Sequence, residues 1–82
     1  MRCKYTTSVR ALCPIDKKPD TYILEFTHDA TVFVEHIVAC VKSYESEEIT
    51  QEDLTQSLSR DVGCNVKSTG YHSCVKTEVW SK

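Results

Sequence analysis

From Lys4 to Leu12 the chain is rich in Thr, Val and Tyr, residue types that fit an extended, half-buried backbone. Thr21 to Thr27 alternates: Tyr22, Leu24 and Phe26 fall on one side, Thr21, Ile23 and Glu25 on the other. The period then lengthens. Phe33, Ile37, Cys40, Val41 and Tyr44 recur at three- and four-residue steps, which predicts a helix from about Ala30 to Tyr44 with one apolar stripe. A charged connector, Glu45 to Glu48, leads to a second helix whose stripe is Leu54, Leu58 and Val62. Thr50 is its expected N-cap, with Asp53 three residues on and Glu52 and Asp53 at the positive end of the helix dipole. Gly63 is the expected stop. Cys64 to Trp80 reads as two more strands, with a turn expected near Ser68-Thr69-Gly70.

The order is strand, strand, helix, helix, strand, strand. It predicts an α+β fold in which two hairpins form one antiparallel sheet and two helices cover one face. The 82 residues are expected to make a single domain over 1–82. A core this small and sheet edges this open lead us to expect a homo-oligomer.

Composition narrows the function classes. Hydrophobic residues make up 40% and charged residues 27%, and the formal net charge of −2 carries no basic excess of the kind that drives bulk nucleic-acid binding. No apolar run has membrane-spanning length and the N-terminus lacks a secretory apolar core, so a cytoplasmic protein without membrane contact is expected. The five cysteines, Cys3, Cys13, Cys40, Cys64 and Cys74, form no CxxC pair. They are expected to be reduced thiols with no metal, zinc at His28, His36 or His72 included.

The chemistry concentrates in Leu12-Cys13-Pro14-Ile15-Asp16-Lys17-Lys18-Pro19-Asp20. Two prolines keep this segment out of helix and hold one thiol and one carboxyl in a constant relation, as a nucleophile and its proton donor require. By itself a cysteine before a polar turn is more often structural. Lys17 and Lys18 read as solvated surface charges that are also close enough in sequence to influence the thiol.

The Cys-Pro to Pro-Asp block resembles the active-site signature of the tunnelling-fold 7-cyano-7-deazaguanine reductases and their amidine-forming archaeosine synthase relatives. The resemblance extends from about Thr6 onward. It implies the same six-element unit, assembled into rings with active sites between subunits. It further implies that Cys13 adds to the nitrile carbon of 7-cyano-7-deazaguanine, free or within tRNA, to give a thioimidate, and that Asp20 is the acid–base partner. Glu52, in Gln51-Glu52-Asp53, matches the family's reader of the guanine-like edge, and a carboxylate suits two parallel N–H donors. Glu35 matches the start of the family's first-helix Glu-x-Lys-x-x-Lys pattern. His72 falls near the family's substrate contacts and is expected to bind substrate or shuttle a proton, whereas His36 reads as an ordinary helix histidine.

Three departures bear on the outcome. Ile37 and Cys40 stand where the reductases carry lysines tied to NADPH, and apolar side chains do not hold dinucleotide phosphates. There is no glycine-rich phosphate loop. The family's Arg-Gly-Gly is replaced by Gly70-Tyr71-His72-Ser73. The expectation is therefore an enzyme without a cofactor that resolves the thioimidate with ammonia, as in tRNA archaeosine formation. NADPH-dependent reduction is the alternative, and a non-catalytic purine- or pterin-binding or assembly protein of the same fold is the third reading.

Overall fold

A computed structural model describes all 82 residues. Six elements follow in the order β1 (Cys3–Leu12), β2 (Pro19–His28), α1 (Val34–Lys42), α2 (Gln51–Val62), β3 (Asn65–His72) and β4 (Val75–Trp80). The strands form one antiparallel sheet in the order β1-β2-β3-β4, and both helices lie against one face. Strand alternation sorts the residues. Val9 and Ala11 of β1, Tyr22, Leu24 and Phe26 of β2, and Val66 of β3 are buried on the inner face. Ile37 and Val41 of α1 meet them there, with Leu54, Leu58 and Val62 of α2. No helix is long and apolar enough to cross a membrane.

The second helix follows its sequence signals. The Thr50 hydroxyl accepts the Asp53 N–H at 3.1 Å, and Gly63 closes the helix at φ 81°, its N–H on the Ser59 carbonyl. This left-handed terminus is one that glycine adopts without a Cβ penalty.

Two expectations are corrected. The first helix spans only Val34–Lys42, and Phe33 is not in its buried stripe but at the N-cap, 79% exposed. Ahead of it, the Ala30 N–H donates to His28 Nδ1 at 2.9 Å and the Val32 N–H to the Tyr5 hydroxyl at 3.2 Å. Backbone donors engaged in this way are tied to side chains of the sheet instead of starting a helical turn. Beyond Lys42 the backbone tightens into turns, with Tyr44, Glu45 and Glu47 N–H groups each bonded three residues back. The last hairpin turns not at Ser68-Thr69-Gly70 but at Ser73-Cys74, both left-handed at φ 50° and 70°, between the paired residues His72 and Val75. Two positive φ values are what a tight two-residue hairpin with the right twist needs. Gly70 lies within β3 because the ring of Tyr22 packs against it: a Cβ there would come 2.6 Å from Tyr22 Cδ1.

Candidate active site

The same alternation that builds the core assembles a polar cluster at one end of the inner face. Cys13 continues the inward series of Val9 and Ala11, Asp20 precedes Tyr22 by one strand period, and His72 follows Ser68 and Gly70. Ala11 and Asp20 are register partners, which sets the carboxyl across from the strand that delivers the thiol.

The turn between them is closed by its own backbone. The Cys13 N–H donates to the Lys18 carbonyl at 3.0 Å and the Lys17 N–H to the Cys13 carbonyl at 2.8 Å, with Lys17 left-handed at φ 63°. Asp16 accepts the Lys18 N–H at 3.0 Å. That backbone donor, helped by a hydrogen bond from the Cys13 side chain, holds the Asp16 carboxyl below its ordinary value. Lys17 directs its ammonium to Glu48, 2.8 Å away, and so does not offer it to the thiol.

The helix connector carries the third wall. Ser46 donates its N–H to the Arg10 carbonyl, Leu12 donates to Glu47, and Ile49 donates to Leu12 at 3.1 Å. This short parallel pairing lays the connector beside the end of β1 and sets the N-terminus of α2 next to Cys13. The result is an open cleft of about 270 Å³ lined by Cys13, Ile15, Tyr22, Gln51, Glu52 and His72, among others. The positive end of the α2 dipole faces this cleft and favours an anion in it.

Asp20 joins the cluster through two neighbours. Its Oδ2 is 3.8 Å from His72 Nδ1, and it acts on the buried phenol of Tyr22. Burial first, then the charges of Asp20, Cys13 and Glu52, push the Tyr22 phenol up to about 12. One hydroxyl in the cleft lining thus senses Asp20, Cys13 and Glu52 together. The His72 ring lies 5.9 Å from the Tyr22 ring, centroid to centroid, and its Nε2 is 3.1 Å from Gln51 Oε1.

No family model matches this chain, and a search of curated proteins finds no match. Among solved structures, the crystal structure of the archaeosine synthase QueF-like in the apo form is similar, with a TM-score of 0.84 and 25% sequence identity. The likeness covers 96% of this chain and 89% of that one. The chain has the fold of the QueF-like tunnelling family.

Within this QueF-like unit, Cys13, Asp20, Glu52 and His72 come together and Glu35 does not. Glu35 sits exposed in the first turn of α1 and is absent from the cleft lining. His36 is also elsewhere, its Nε2 3.2 Å from the Asp61 carbonyl and beside Cys40. Burial raises the Cys40 thiol above its ordinary value, with the Asp61 charge adding to it. Ile37, at one of the positions where the reductases carry lysine, is 3% exposed and belongs to the core. The residues that sequence reasoning passed over are Tyr22 and Gln51, both 2% exposed. A signal for Gln51 was present: it lies on the buried stripe of α2 with Leu54, Leu58 and Val62, where an amide requires partners.

Proposed function

We propose that the protein is a nitrile-processing enzyme in which the Cys13 sulfur adds to the nitrile carbon of 7-cyano-7-deazaguanine, free or in tRNA. As the S–C bond forms, one electron pair of the C≡N bond moves to nitrogen. The proton that leaves the thiol arrives on that nitrogen by way of Asp20, so the product is a neutral thioimidate. Ammonia then adds to the same carbon, the S–C bond breaks, the thiol regains its proton, and an amidine is released. No electrons are gained or lost. Glu52 grips the guanine-like edge with its two carboxylate oxygens, and the active assembly is a ring of copies of this chain.

The observation that carries this reading is one cleft holding Cys13, Glu52 and His72, with Asp20 against His72, on a fold similar to an archaeosine synthase. The NADPH-dependent alternative has less support. Ile37 is buried and Cys40 is half-buried against the core, and neither is a partner for dinucleotide phosphates.

The test is intact mass spectrometry after incubation with 7-cyano-7-deazaguanine, as the free base and, separately, within tRNA. A covalent adduct is expected that survives in Cys40→Ala and disappears in Cys13→Ala. Absence of an adduct in the unaltered protein removes the reading. Oxidation of NADPH by protein and free base would move the assignment to the reductase.

A further inference from the structure

The hydrogen bonds around Gln51 leave a single consistent assignment of protons. Its Nε2 lies 3.0 Å from the Thr77 carbonyl, 3.3 Å from the Ser68 carbonyl and 3.1 Å from Ser68 Oγ. Flipping the amide would aim its oxygen at two carbonyl oxygens, so the amino group must face them. Thr55 Oγ1 donates to the main-chain carbonyl of Gln51 at 2.7 Å, and the Ser68 hydroxyl, already an acceptor, donates to Thr55 Oγ1 at 2.6 Å. Every donor in this buried set is now spent, and no buried side-chain polar atom is left without a partner. Gln51 Oε1 is thereby fixed as an acceptor aimed at His72, and His72 Nε2 must be the donor. Its other nitrogen, Nδ1, then faces Asp20.

We propose that Gln51 is a positioning residue that locks His72 in the Nε2–H tautomer, so that the bare Nδ1, facing the Asp20 carboxyl, is where a transferred proton is received. This rests on the nitrile-capture reading and gives Asp20 its proton partner. Nε2 is engaged whatever the protonation state, so an added proton has only Nδ1 to occupy. The separation of 3.8 Å is longer than a hydrogen bond, and such bonds tighten when substrate fills a site. During addition the pair accepts the proton from the Cys13 thiol and returns it to the nitrile nitrogen, ending as it began. The groups facing His72 are Asp20 and Tyr22 from β2 and Gln51 from α2, with Cys13 and Glu52 across the cleft.

Two readouts test this. The first is the His72 tautomer, read by two-bond nitrogen–proton NMR on the unliganded protein with labelled histidine. The Nε2–H form is expected in the unaltered protein. A mixture is expected in Gln51→Met, with circular dichroism checking that the variant folds. Finding the Nδ1–H form in the unaltered protein, or no change in folded Gln51→Met, overturns the proposal. If Gln51→Met unfolds, the tautomer of the unaltered protein decides.

The second readout is the rate of adduct formation across roughly pH 5 to 8, the range over which imidazole ordinarily changes charge. His72→Phe, which keeps a ring beside Tyr22, should slow the rate about 10- to 100-fold and remove one limb of the pH profile. The double variant with Asp20→Asn should be no slower than Asp20→Asn alone, because the two act as a unit. A His72→Phe profile that matches the unaltered protein's overturns the proposal. Absence of any adduct with the locked tautomer intact strikes the nitrile reading while the Gln51–His72 lock stands.

Discussion

At Gly70 the ring of Tyr22 occupies the space in which any other residue carries its Cβ, with Cδ1 and Cε1 at 2.6 and 2.7 Å from that point. Gly70 has no positive φ, so alanine fits its backbone and the whole penalty is steric. Tyr22 is buried and cannot step aside freely. Gly70→Ala should therefore cost about 1–3 kcal/mol, the usual range for overpacking a filled core, read as a lower urea midpoint. It should also slow adduct formation, because the displaced ring carries the hydroxyl beside Asp20. The phenol has a pH signature of its own. A folded Tyr22 keeps its proton up to about 12, whereas an unfolded tyrosine releases it near about 10. Above the unfolded value the unfolded chain binds fewer protons, so this contribution to stability declines as pH rises from about 10 through about 12. Tyr22→Phe should show a shallower alkaline loss of stability than the unaltered protein in denaturant melts at stepped pH, and its tyrosine titration should lack the latest-ionising phenol. Equal alkaline slopes would show that the hydroxyl is not held as described.

Among the elements, α2 does double duty: its stripe fills the core and its first turn walls the cleft. Thr50 governs where that turn starts, since its hydroxyl satisfies the Asp53 N–H and Thr50 itself lines the cleft beside Glu52. Thr50→Ala should cost about 1 kcal/mol of stability, the ordinary value of such a cap. It should also weaken substrate binding more than it slows the chemical step, measured as a larger change in KM than in kcat. The residues that set α2 were legible because cap, stripe and stop are local signals. So was the one-sided set Tyr22, Leu24 and Phe26 of β2, whose period also places Asp20 on the helix-covered face. What was not legible depended on distant partners. The start of α1 is delayed because Tyr5, on β1, takes the Val32 N–H. The last turn falls past Gly70 because that glycine serves Tyr22 on another strand. Gln51 stood in the sequence only as the neighbour of Glu52, and the positions of Ser68, Thr77 and His72 reveal its role.

On the scale of the whole molecule, the outer face of the sheet carries a row of paired charges and its β1 edge is only partly covered. Lys4, Glu25, Lys67 and Glu78 form a row of alternating sign across all four strands, at 2.6, 3.8 and 2.7 Å from one to the next. Lys4, Glu25 and Lys67 of this row line a shallow depression of about 480 Å³ near Trp80, of which Cys13 is not part, and Glu25 there pairs with both lysines. Hydrogen bonding from the Lys4 and Lys67 side chains, respectively, lowers the Glu25 and Glu78 carboxyls, so their contribution fades as pH falls through the low carboxylate range. The β1 edge is covered over only part of its length. The outward N–H groups of Arg10 and Leu12 are taken by Glu45 and Glu47 of the connector. Strand parity points the N–H groups of Lys4, Thr6 and Ser8 the same way, and no element of this chain lies beyond them. An uncovered row of donors and acceptors on a ten-residue strand is a template for another copy's edge. Thr6→Pro removes one outward donor and leaves the bonds to β2 intact, a substitution that edge strands tolerate. It should shift sedimentation equilibrium toward the single chain with little change in circular dichroism. An unchanged assembly mass would mean that copies meet elsewhere, and loss of the folded signal would mean that Thr6 faces β2 instead.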